Sequence, residues 1–335
     1  LLNQGYNCSL ILDNRGMKFS SNFNGKIYTI KSSHLTGNIF FKLRSSINLF
    51  LGLAQSLIIV NKIKPKKCLS FGSYATLMPL LATIILKIFI KIDIFIHEQN
   101  SVIGKVNSFI LPYSKSIFTN FEDIINLDKK YYHKKIYVGT PSNIINKLIV
   151  NNGLNNSDKQ NIFIYGGSQG SSPLLNKFLL ILKKLDYEYI KKIKLIIQSP
   201  KNLFESLNKD LKQLNVNYEI SEFYNNIDEI LSKVNIAITR AGSGTINDLI
   251  KHQIPSIIMP LPNSIYNHQF FNAEYLFNKK AAILIDEMHF DIDSNLDIFK
   301  ELINNESKRE NMKEALSKII LPEANQIMLS KILYD

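Results

Sequence analysis

The residues best suited to chemistry lie in one continuous stretch, residues 239–273, which reads TRAGSGTINDLIKHQIPSIIMPLPNSIYNHQFFNA. Gly242 and Gly244 separate a short β-branched run from a helix that is predicted to begin near Thr245. Glycines let a backbone approach a ligand closely, and a helix N-terminus presents unpaired N–H groups with a partial positive charge. The stretch therefore predicts a phosphate-binding corner, from which Asp248 would reach the hydroxyl groups of a sugar.

Asp248 also has a simpler interpretation, as a helix cap. Thr245-x-x-Asp248 resembles a capping box, and the helix dipole favours acidic side chains in the first turn of a helix. This stretch alone leaves capping and ligand binding equally open, so the choice between them depends on the rest of the chain.

A second glycine-rich loop, residues 166–172, reads GGSQGSS and lies between a predicted strand and a helix opened by Pro173. Its glycines permit a tight turn, and its serine and glutamine side chains offer contacts to a sugar or a phosphate. The loop lacks the lysine of a Walker motif and the spacing of G-x-G-x-x-G. These absences disfavour an ATPase and a dinucleotide-dependent oxidoreductase.

A third polar loop, residues 97–107, reads HEQNSVIGKVN and directly follows the predicted strand 92–96. His97 or Glu98 at the carboxyl end of a strand is placed to act as a base. The structural alternatives are a buried, hydrogen-bonded imidazole for His97 and a helix-end charge for Glu98. Function is favoured because this much polarity beside a buried strand needs partners. A further turn, residues 71–76, occupies the same edge of the predicted sheet.

The elements that must position these loops alternate between strand and helix. Strands are predicted at 8–12, 26–30, 68–71, 92–96, 116–119, 162–165, 193–198, 218–220, 235–238 and 256–259. Alternation with helices predicts parallel sheets, whose ligands bind at the carboxyl ends of the strands. The polar segment 151–160 has the composition of a linker. The sequence therefore predicts an α/β protein of two Rossmann-like domains, 1–142 and 143–320, with a final helix in 321–335 that packs back on the first domain.

The composition is that of a folded soluble protein, with 45% hydrophobic and 20% charged residues. The net charge of +12 favours an acidic partner, such as a phosphate-bearing substrate, an anionic membrane or a nucleic acid, although a biased genome produces the same lysine excess. Cys8 and Cys68 support neither a disulfide framework nor a thiolate metal site. Pro79 and several charged residues interrupt the apolar segment 77–96, which is therefore not expected to span a bilayer.

Four motifs occur in one order along the chain: HEQN with Gly104 and Asn107, GGSQGS, RAGSGT with Asp248, and PLPN followed by His268-Gln269. At these separations they resemble the MurG family, which are GT-B glycosyltransferases of bacterial peptidoglycan assembly. The resemblance covers nearly the whole chain. It implies inverting transfer of N-acetylglucosamine from UDP-N-acetylglucosamine to the 4-hydroxyl of the muramyl sugar of lipid I, giving lipid II. No cofactor or metal is implied, and Asp291-x-Asp293, a pattern found in metal-using glycosyltransferases, is interpreted as a solvated turn.

The resemblance also implies roles for individual residues. Ser243, Gly244 and Thr245 would bind the diphosphate, and Asp248 would bind the ribose. The other donor-site residues would be Asn100, Ser168, Gln169, Tyr224, Ile246, Asn247, Gln269 and Asn272. The acceptor's diphosphate would face Gly72, Ser73 and Tyr74. The base would be His97 or Glu98, with a further candidate expected in the family's loop that would precede Leu1.

This sequence departs from the family pattern at several positions. Asn143 stands where an arginine is usual, and Asp248 replaces the usual glutamate, which shortens the reach to the ribose. The family's first strand and its glycine-rich, His-containing loop would precede Leu1. Two alternatives therefore remain open: a GT-B enzyme with a different glycolipid acceptor, and a non-catalytic UDP-sugar-binding protein.

An acceptor anchored in a bilayer implies a peripheral enzyme on the cytoplasmic face of the bacterial inner membrane. Apolar residues within 47–59 and 77–90, with Lys42, Arg44 and Lys87 nearby, would form the contact. Cell-wall synthesis and division proteins would be further partners, and no nucleic acid is expected.

Overall fold

The structure is a computed structural model that describes residues 1–33, 38–141, 159–167 and 171–334. The chain forms two compact units. Unit 1 comprises Leu1–Pro141 and Glu323–Asp335, and unit 2 comprises Ser142–Pro322. Parallel strands alternate with helices in both units, which confirms the predicted α/β class. Of the linker predicted at 151–160, residues 151–158 lie outside the described residues, as does the predicted boundary at 142/143, whereas Gln160 already begins a strand.

Unit 1 contains a pair of parallel strands and a separate sheet of four parallel strands in the order β3-β4-β5-β6. The strands are β1 (Ser9–Leu12), β2 (Lys26–Thr29), β3 (Lys67–Ser70), β4 (Asp93–Glu98), β5 (Ser116–Thr119) and β6 (Lys135–Tyr137). The helices are α1 (Ile39–Ile63), α2 (Tyr74–Leu86) and α3 (Lys105–Ile110). The first helix packs against the second through a core that includes Val60, Ala82 and Ile92.

Unit 2 contains one sheet of six parallel strands in the order β12-β11-β10-β7-β8-β9. The strands are β7 (Gln160–Tyr165), β8 (Ile193–Gln198), β9 (Asn217–Ser221), β10 (Ile236–Thr239), β11 (Ser256–Ile258) and β12 (Ile283–Leu284). The chain winds outward from β7 in one direction and then from β10 in the other. This is the strand order of a dinucleotide-binding Rossmann sheet, and a crevice forms where the winding direction reverses.

The described residues of unit 2 form eight helices. They are α4 (Ser172–Lys184), α5 (Tyr187–Ile190), α6 (Phe204–Gln213), α7 (Ile227–Leu231), α8 (Ser243–Lys251), α9 (His268–Asn278), α10 (Ile292–Asn304) and α11 (Glu306–Ser317). Ile162 and Ile164 of β7 point into a core shared with Phe178 of α4 and Phe299 of α10. Helices on both faces explain why β7 and β8 are apolar almost throughout rather than alternating.

The last helix, α12 (Ala324–Tyr334), belongs to unit 1 rather than to the unit that precedes it in the sequence. Ala324, Met328 and Ile332 are buried in one cluster with Phe95 of β4 and Phe118 of β5. The helix therefore covers one face of the four-stranded sheet.

The structure differs from the sequence-based expectations at some boundaries. The β4 strand continues through His97 and Glu98, which were expected in a loop. The short strands β6 and β12 were not predicted. A run of two or three residues is too short to carry a recognisable alternation, so such strands depend on their neighbours in the sheet.

Candidate active site

A pocket of about 650 Å³ opens in unit 2 at the carboxyl ends of β7, β8 and β10. It lies where the winding direction of the sheet reverses, as expected for a ligand site in this fold. It brings together six of the donor-site residues predicted from the sequence: Tyr224, Ser243, Gly244, Thr245, Asp248 and Gln269. The other lining residues are Tyr165, Gly166, Gly167, Ser171, Gln198, Phe223, Asn225, Ile227, Arg240, Gly242 and Leu261.

The N-terminus of α8 forms one wall of this pocket. The helix begins at Ser243 with Gly242 as its N-cap, and no described side chain caps it. By contrast, the N-terminus of α4 is capped by Ser171, whose hydroxyl accepts a hydrogen bond from the Leu174 N–H. The first N–H groups of α8 are therefore left for an anionic ligand. Because Asp248 is the sixth residue of the helix, the capping interpretation of this residue is wrong.

The Asp248 carboxyl group lines the same pocket and accepts no hydrogen bond from the described residues. The pKa of this group is raised to about 7, mainly by burial and in smaller part by the negative charge of Asp228. The positive charge of Lys251 lowers the pKa and offsets part of this shift. A largely buried carboxyl group without donors is costly in its ionised form. A ligand that brings two hydroxyl donors, such as the diol of a ribose, would satisfy it.

Arg240 forms the floor of the pocket between the two helix N-termini. Its side chain is only 4% exposed, and its Nη1 donates to Glu287 Oε2 at 2.5 Å. Nη1 also donates to the carbonyl oxygens of Met259 and Pro260, and Nε donates to the Ser171 hydroxyl at 3.0 Å. Its Nη2 has no hydrogen-bond partner among the described residues. The buried pair with Glu287 compensates the charge of the guanidinium.

Gln269 contributes an oriented amide to the pocket. Its Oε1 accepts hydrogen bonds from the backbone N–H groups of Leu261 at 3.0 Å and Ala241 at 3.3 Å. Both donors require an oxygen at this position, so the amide orientation is determined and Nε2 is left to donate. Gln269 can therefore donate to a hydroxyl or carbonyl oxygen of a bound sugar.

Aromatic side chains form the opposite wall. Phe223 is 59% exposed, and the Tyr224 ring meets Phe163 edge to face with a centroid distance of 5.7 Å. Burial raises the pKa of Tyr224 to about 12, and the negative charge of Glu219 adds to this shift. The Gln198 amide donates to the backbone oxygen of Glu222 at 3.4 Å and so holds the start of this loop. A wall of aromatic side chains suits a flat heterocycle.

A second polar cluster lies in unit 1, at the carboxyl end of β4. Glu98 is 4% exposed and accepts four hydrogen bonds: from the N–H of Asn100 at 3.1 Å and of Gly104 at 2.9 Å, and from the side-chain amides of Asn107 at 2.9 Å and Asn100 at 3.5 Å. These bonds hold the segment 98–107 in a compact turn. His97 is fully buried, hydrogen bonds the backbone oxygen of Gly139 at 2.9 Å, and has its pKa lowered by burial.

The turn before α2 lies against this cluster. Gly72 has φ +61°, and a Cβ atom there would come within 2.4 Å of the Asn107 side-chain nitrogen. Ser73 begins the turn into α2, and its N–H donates to the Thr76 hydroxyl at 3.0 Å. Gly72 is therefore needed both for its left-handed backbone and for the close approach of Asn107. Asn107 also donates to the His97 carbonyl, which joins the turn and β4.

Other predicted site residues lie elsewhere. Ile246 and Asn272 are fully buried behind the pocket, and the Asn272 amide donates to the Ala241 carbonyl oxygen at 3.0 Å. Asn247 is partly buried on α8 but does not line the pocket. The Ser168, Gln169 and Asn143 positions lie outside the described residues. Asn100, His97, Glu98, Gly72, Ser73 and Tyr74 all lie in unit 1.

The Asp291-x-Asp293 motif begins a helix. Asp291 caps α10 by accepting a hydrogen bond from the Ser294 N–H, and Asp293 pairs with Lys184. Among the residues that the structure describes, no three His, Cys, Asp or Glu side chains come together as a possible metal site.

Sequence reasoning missed several pocket residues. Arg240 belongs to the RAGSGT motif, so its place directly before the glycines was an available signal. Glu287 and Gln198 reach the site from distant segments, and no local pattern marks them. Tyr165 ends β7, and its apolar neighbours predict a strand residue rather than a pocket residue.

Two family models match the chain. The glycosyltransferase family 28 N-terminal domain matches residues 1–119, and the glycosyltransferase family 28 C-terminal domain matches residues 161–326. The chain is also similar to proteins named UDP-N-acetylglucosamine–N-acetylmuramyl-(pentapeptide) pyrophosphoryl-undecaprenol N-acetylglucosamine transferase. The protein of this name from Rickettsia felis is 30% identical over 95% of this chain and 89% of its own length. That from Rickettsia canadensis is 31% identical over 91% and 85%.

Solved structures show the same fold. The crystal structure of Acinetobacter baumannii MurG matches with a TM-score of 0.78 and 20% identity, and covers 99% of this chain and 92% of that one. A UDP complex of Staphylococcus aureus MnaA matches with a TM-score of 0.61 and 13% identity over 97% and 96% of the two chains. The predicted GT-B fold class is thereby confirmed. The motifs, the two matched domains and the full-length relatives agree, and the chain belongs to glycosyltransferase family 28, among the MurG enzymes.

Proposed function

We propose that this chain transfers N-acetylglucosamine from UDP-N-acetylglucosamine to lipid I and so forms lipid II. The observation that carries this proposal is the pocket of unit 2. There a helix N-terminus and a carboxyl group, neither with a side-chain partner among the described residues, converge with an oriented amide. Full-length relatives named for this reaction support it. They do not favour a different glycolipid acceptor or a non-catalytic role.

The donor nucleotide fits the pocket in one orientation. The uracil lies along the Phe223–Tyr224 wall, the ribose diol binds Asp248, and the diphosphate meets the N–H groups of Ser243, Gly244 and Thr245. The sugar then lies near Gln269, whose Nε2 is the atom left to donate. This arrangement matches each polar part of the ligand with a group that has no hydrogen-bond partner among the described residues.

The reaction builds negative charge on the departing diphosphate. Attack of the muramyl 4-hydroxyl on C1 inverts the anomeric centre and breaks the bond between C1 and the diphosphate oxygen. N–H dipoles that already point at the phosphate stabilise this charge without reorganisation. The uncapped start of α8 is therefore the main catalytic feature of unit 2.

The acceptor side is assigned to unit 1. Gly72, Ser73 and Tyr74, at the N-terminus of α2, would face the acceptor's diphosphate. The base predicted at His97 or Glu98 remains a prediction. All four hydrogen bonds to Glu98 come from its own turn, which supports a positioning role for this carboxylate, and burial disfavours a charged His97.

A membrane surface is also proposed for unit 1, on the cytoplasmic face of the cell membrane. Ile88 and Phe89, directly after α2, are 79% and 81% exposed, and Lys87 and Lys91 flank them. On α1, exposed apolar side chains include Leu43, Ile47, Phe50 and Ile58. Exposed apolar residues flanked by lysine are typical of surfaces that contact an anionic bilayer.

One described helical segment, Leu43–Ile63, is long and apolar enough to cross a membrane by length and composition. The packing of this helix against unit 1 instead favours a position on the membrane surface. Ser56 and Val60 are buried, and at Gly52 even a Cβ atom would collide with the Lys31 carbonyl oxygen. A helix held to unit 1 along this face presents its other face to lipid. The side chain of Lys42 lies outside the described set.

Labelled sugar transfer tests the proposal. The chain should move label from UDP-N-acetylglucosamine to lipid I but not to a diacylglycerol acceptor. Label on diacylglycerol alone would identify a different glycolipid transferase, and tight binding of the nucleotide with no transfer would identify a binding protein. Cell-wall synthesis and division proteins remain proposed partners.

A further inference from the structure

A buried cluster behind the pocket joins two of its walls. The Oδ1 atom of Asp228, on α7, accepts hydrogen bonds from Nζ of Lys251 and Nε2 of His252, each at 2.7 Å. Lys251 ends α8 and His252 follows it directly. Their side chains are 9% and 0% exposed, and that of Asp228 is 23% exposed. The cluster is therefore largely shielded from solvent.

This burial distinguishes the cluster from a surface ion pair. Glu229, the next residue on α7, pairs with Lys233, and both side chains are more than half exposed. Exposed pairs of this kind contribute little because solvent screens them. A buried lysine, by contrast, requires a partner for its charge. Asp228 forms the ion pair with Lys251 and so compensates the positive charge of this buried side chain.

The residues beside the cluster line the nucleotide pocket. Ile227 precedes Asp228, and Tyr224 lies in the loop that leads into α7. On α8, Asp248 lies one turn before Lys251, on the helix that presents the phosphate-binding N–H groups. The bonds of Asp228 thus connect the wall that borders the base to the helix that binds the ribose and phosphates.

We propose that Asp228 is a positioning residue of the nucleotide pocket, which holds α7 against α8 through Lys251 and His252. The inference rests on the proposed function, because the ligand is the sugar nucleotide. The start of the same loop is held differently, by the longer bond from Gln198 to the Glu222 carbonyl oxygen at 3.4 Å. Loss of the Asp228 bonds should therefore free the end of the loop nearest Tyr224 and Ile227.

The cluster also affects the charge of the pocket. The titratable groups that face Asp248 are Asp228 from α7, Lys251 from α8 and Tyr165 from β7. Of these, the Asp228 charge raises the pKa of Asp248 and the Lys251 charge lowers it. Neutralising Asp228 while keeping its shape should lower the pKa of Asp248. A scaffold residue without influence on the site would not change this property.

The test compares Asp228→Ala and Asp228→Asn with wild type and with Glu229→Ala, which removes only the exposed pair on the same helix. Binding of UDP-N-acetylglucosamine to the full chain is measured by calorimetry between about pH 5.5 and pH 8.5. Asp228→Ala should weaken binding about tenfold, the cost of one displaced hydrogen bond. In the transferase assay its KM should rise by a similar factor while kcat stays within about twofold.

The asparagine variant provides the second readout. It keeps an acceptor for His252 but loses the charge, so the pH midpoint of nucleotide binding should move below that of wild type. Glu229→Ala should match wild type in affinity and midpoint. An alanine variant that melts as a folded protein yet binds normally would overturn the inference, as would an unchanged midpoint in Asp228→Asn. If Asp228→Ala does not fold, the asparagine midpoint decides. Failure of wild type to bind the nucleotide would instead refute the proposed function.

Discussion

Ionisation of Asp248 should link nucleotide binding to pH. Its carboxyl group has a pKa of about 7 because it is buried in the pocket, with Asp228 nearby and no donor among the described residues. A ribose diol would supply two O–H donors, and donors favour the ionised form of a carboxyl group. Binding of the nucleotide should therefore lower this pKa and release a proton near neutral pH.

The size of the effect follows from the pKa. If the ionised form alone accepts the diol, affinity falls about tenfold for each pH unit below about 7 and levels off above it. The dissociation constant should thus be about tenfold higher at about pH 6 than at about pH 8. UDP-N-acetylglucosamine is the suitable ligand because its diphosphate, esterified at both ends, has no proton that titrates in this range.

Calorimetric titration in two buffers of different ionisation enthalpy measures both quantities. Wild type should release up to one proton on binding at about pH 6, and the Asp248→Asn variant should release none. The variant should also bind at least about tenfold more weakly at about pH 8, because it loses a charge-assisted hydrogen bond. An affinity of wild type that does not vary with pH, or an equal pH slope in the variant, would refute the assignment of Asp248 to the ribose.

Stability of the free protein should respond to the same group. The pKa of Asp248 is raised from 3.8 to about 7 on folding, so the folded state holds the proton more tightly than the unfolded state. Its contribution to the free energy of unfolding is fully present below about pH 4 and is lost as pH rises through about 7. Melting curves should show this loss in wild type and a smaller loss in Asp248→Asn.

Three further variants and one control test other parts of the mechanism and of the membrane surface. Gly72→Ala should destabilise the chain by about 1–3 kcal/mol, measured by denaturant unfolding, because the new Cβ meets Asn107 and the φ of +61° is left-handed. Glu98→Gln should lower the melting temperature by removing an acceptor, with a cost of about 1–3 kcal/mol, while the shape of the pH–rate profile is retained. A loss of turnover without a change in melting would instead identify Glu98 as the base. Replacing Ile88 and Phe89 by serine should reduce binding to anionic vesicles at least about tenfold. Ile320→Ser, an equally exposed site in unit 2, should have no effect on vesicle binding, and equal losses in both variants would contradict the membrane surface.

Local sequence patterns were sufficient to predict much of the fold and one wall of the pocket. Alternation of apolar runs with helical segments indicated parallel sheets, because a crossover helix must follow each strand. The glycines before Thr245 indicated the uncapped start of α8, since both the close backbone and the helix N-terminus are properties of neighbouring residues. The sequence could not distinguish capping from ligand binding for Asp248, because that depended on a helix start two residues earlier than expected.

Long-range partners account for what could not be predicted. His97 and Glu98 read as loop residues because they are polar, but the Gly139 carbonyl and the Asn107 amide allow them to end a buried strand. The pairing of Arg240 with Glu287 joins residues 47 positions apart. Asp228 gave no signal for the same reason, since its partners lie on another helix. Pairings of this kind arise only after the sheet has brought its loops together.

The most direct test of the central claim is transfer of labelled N-acetylglucosamine to lipid I by this chain, with Asp248→Asn measured alongside. Wild type should give a lipid-linked disaccharide, and the variant should show a KM for UDP-N-acetylglucosamine at least about tenfold higher at about pH 8. No labelled lipid product from wild type, or equal KM values for the two proteins, would contradict this claim.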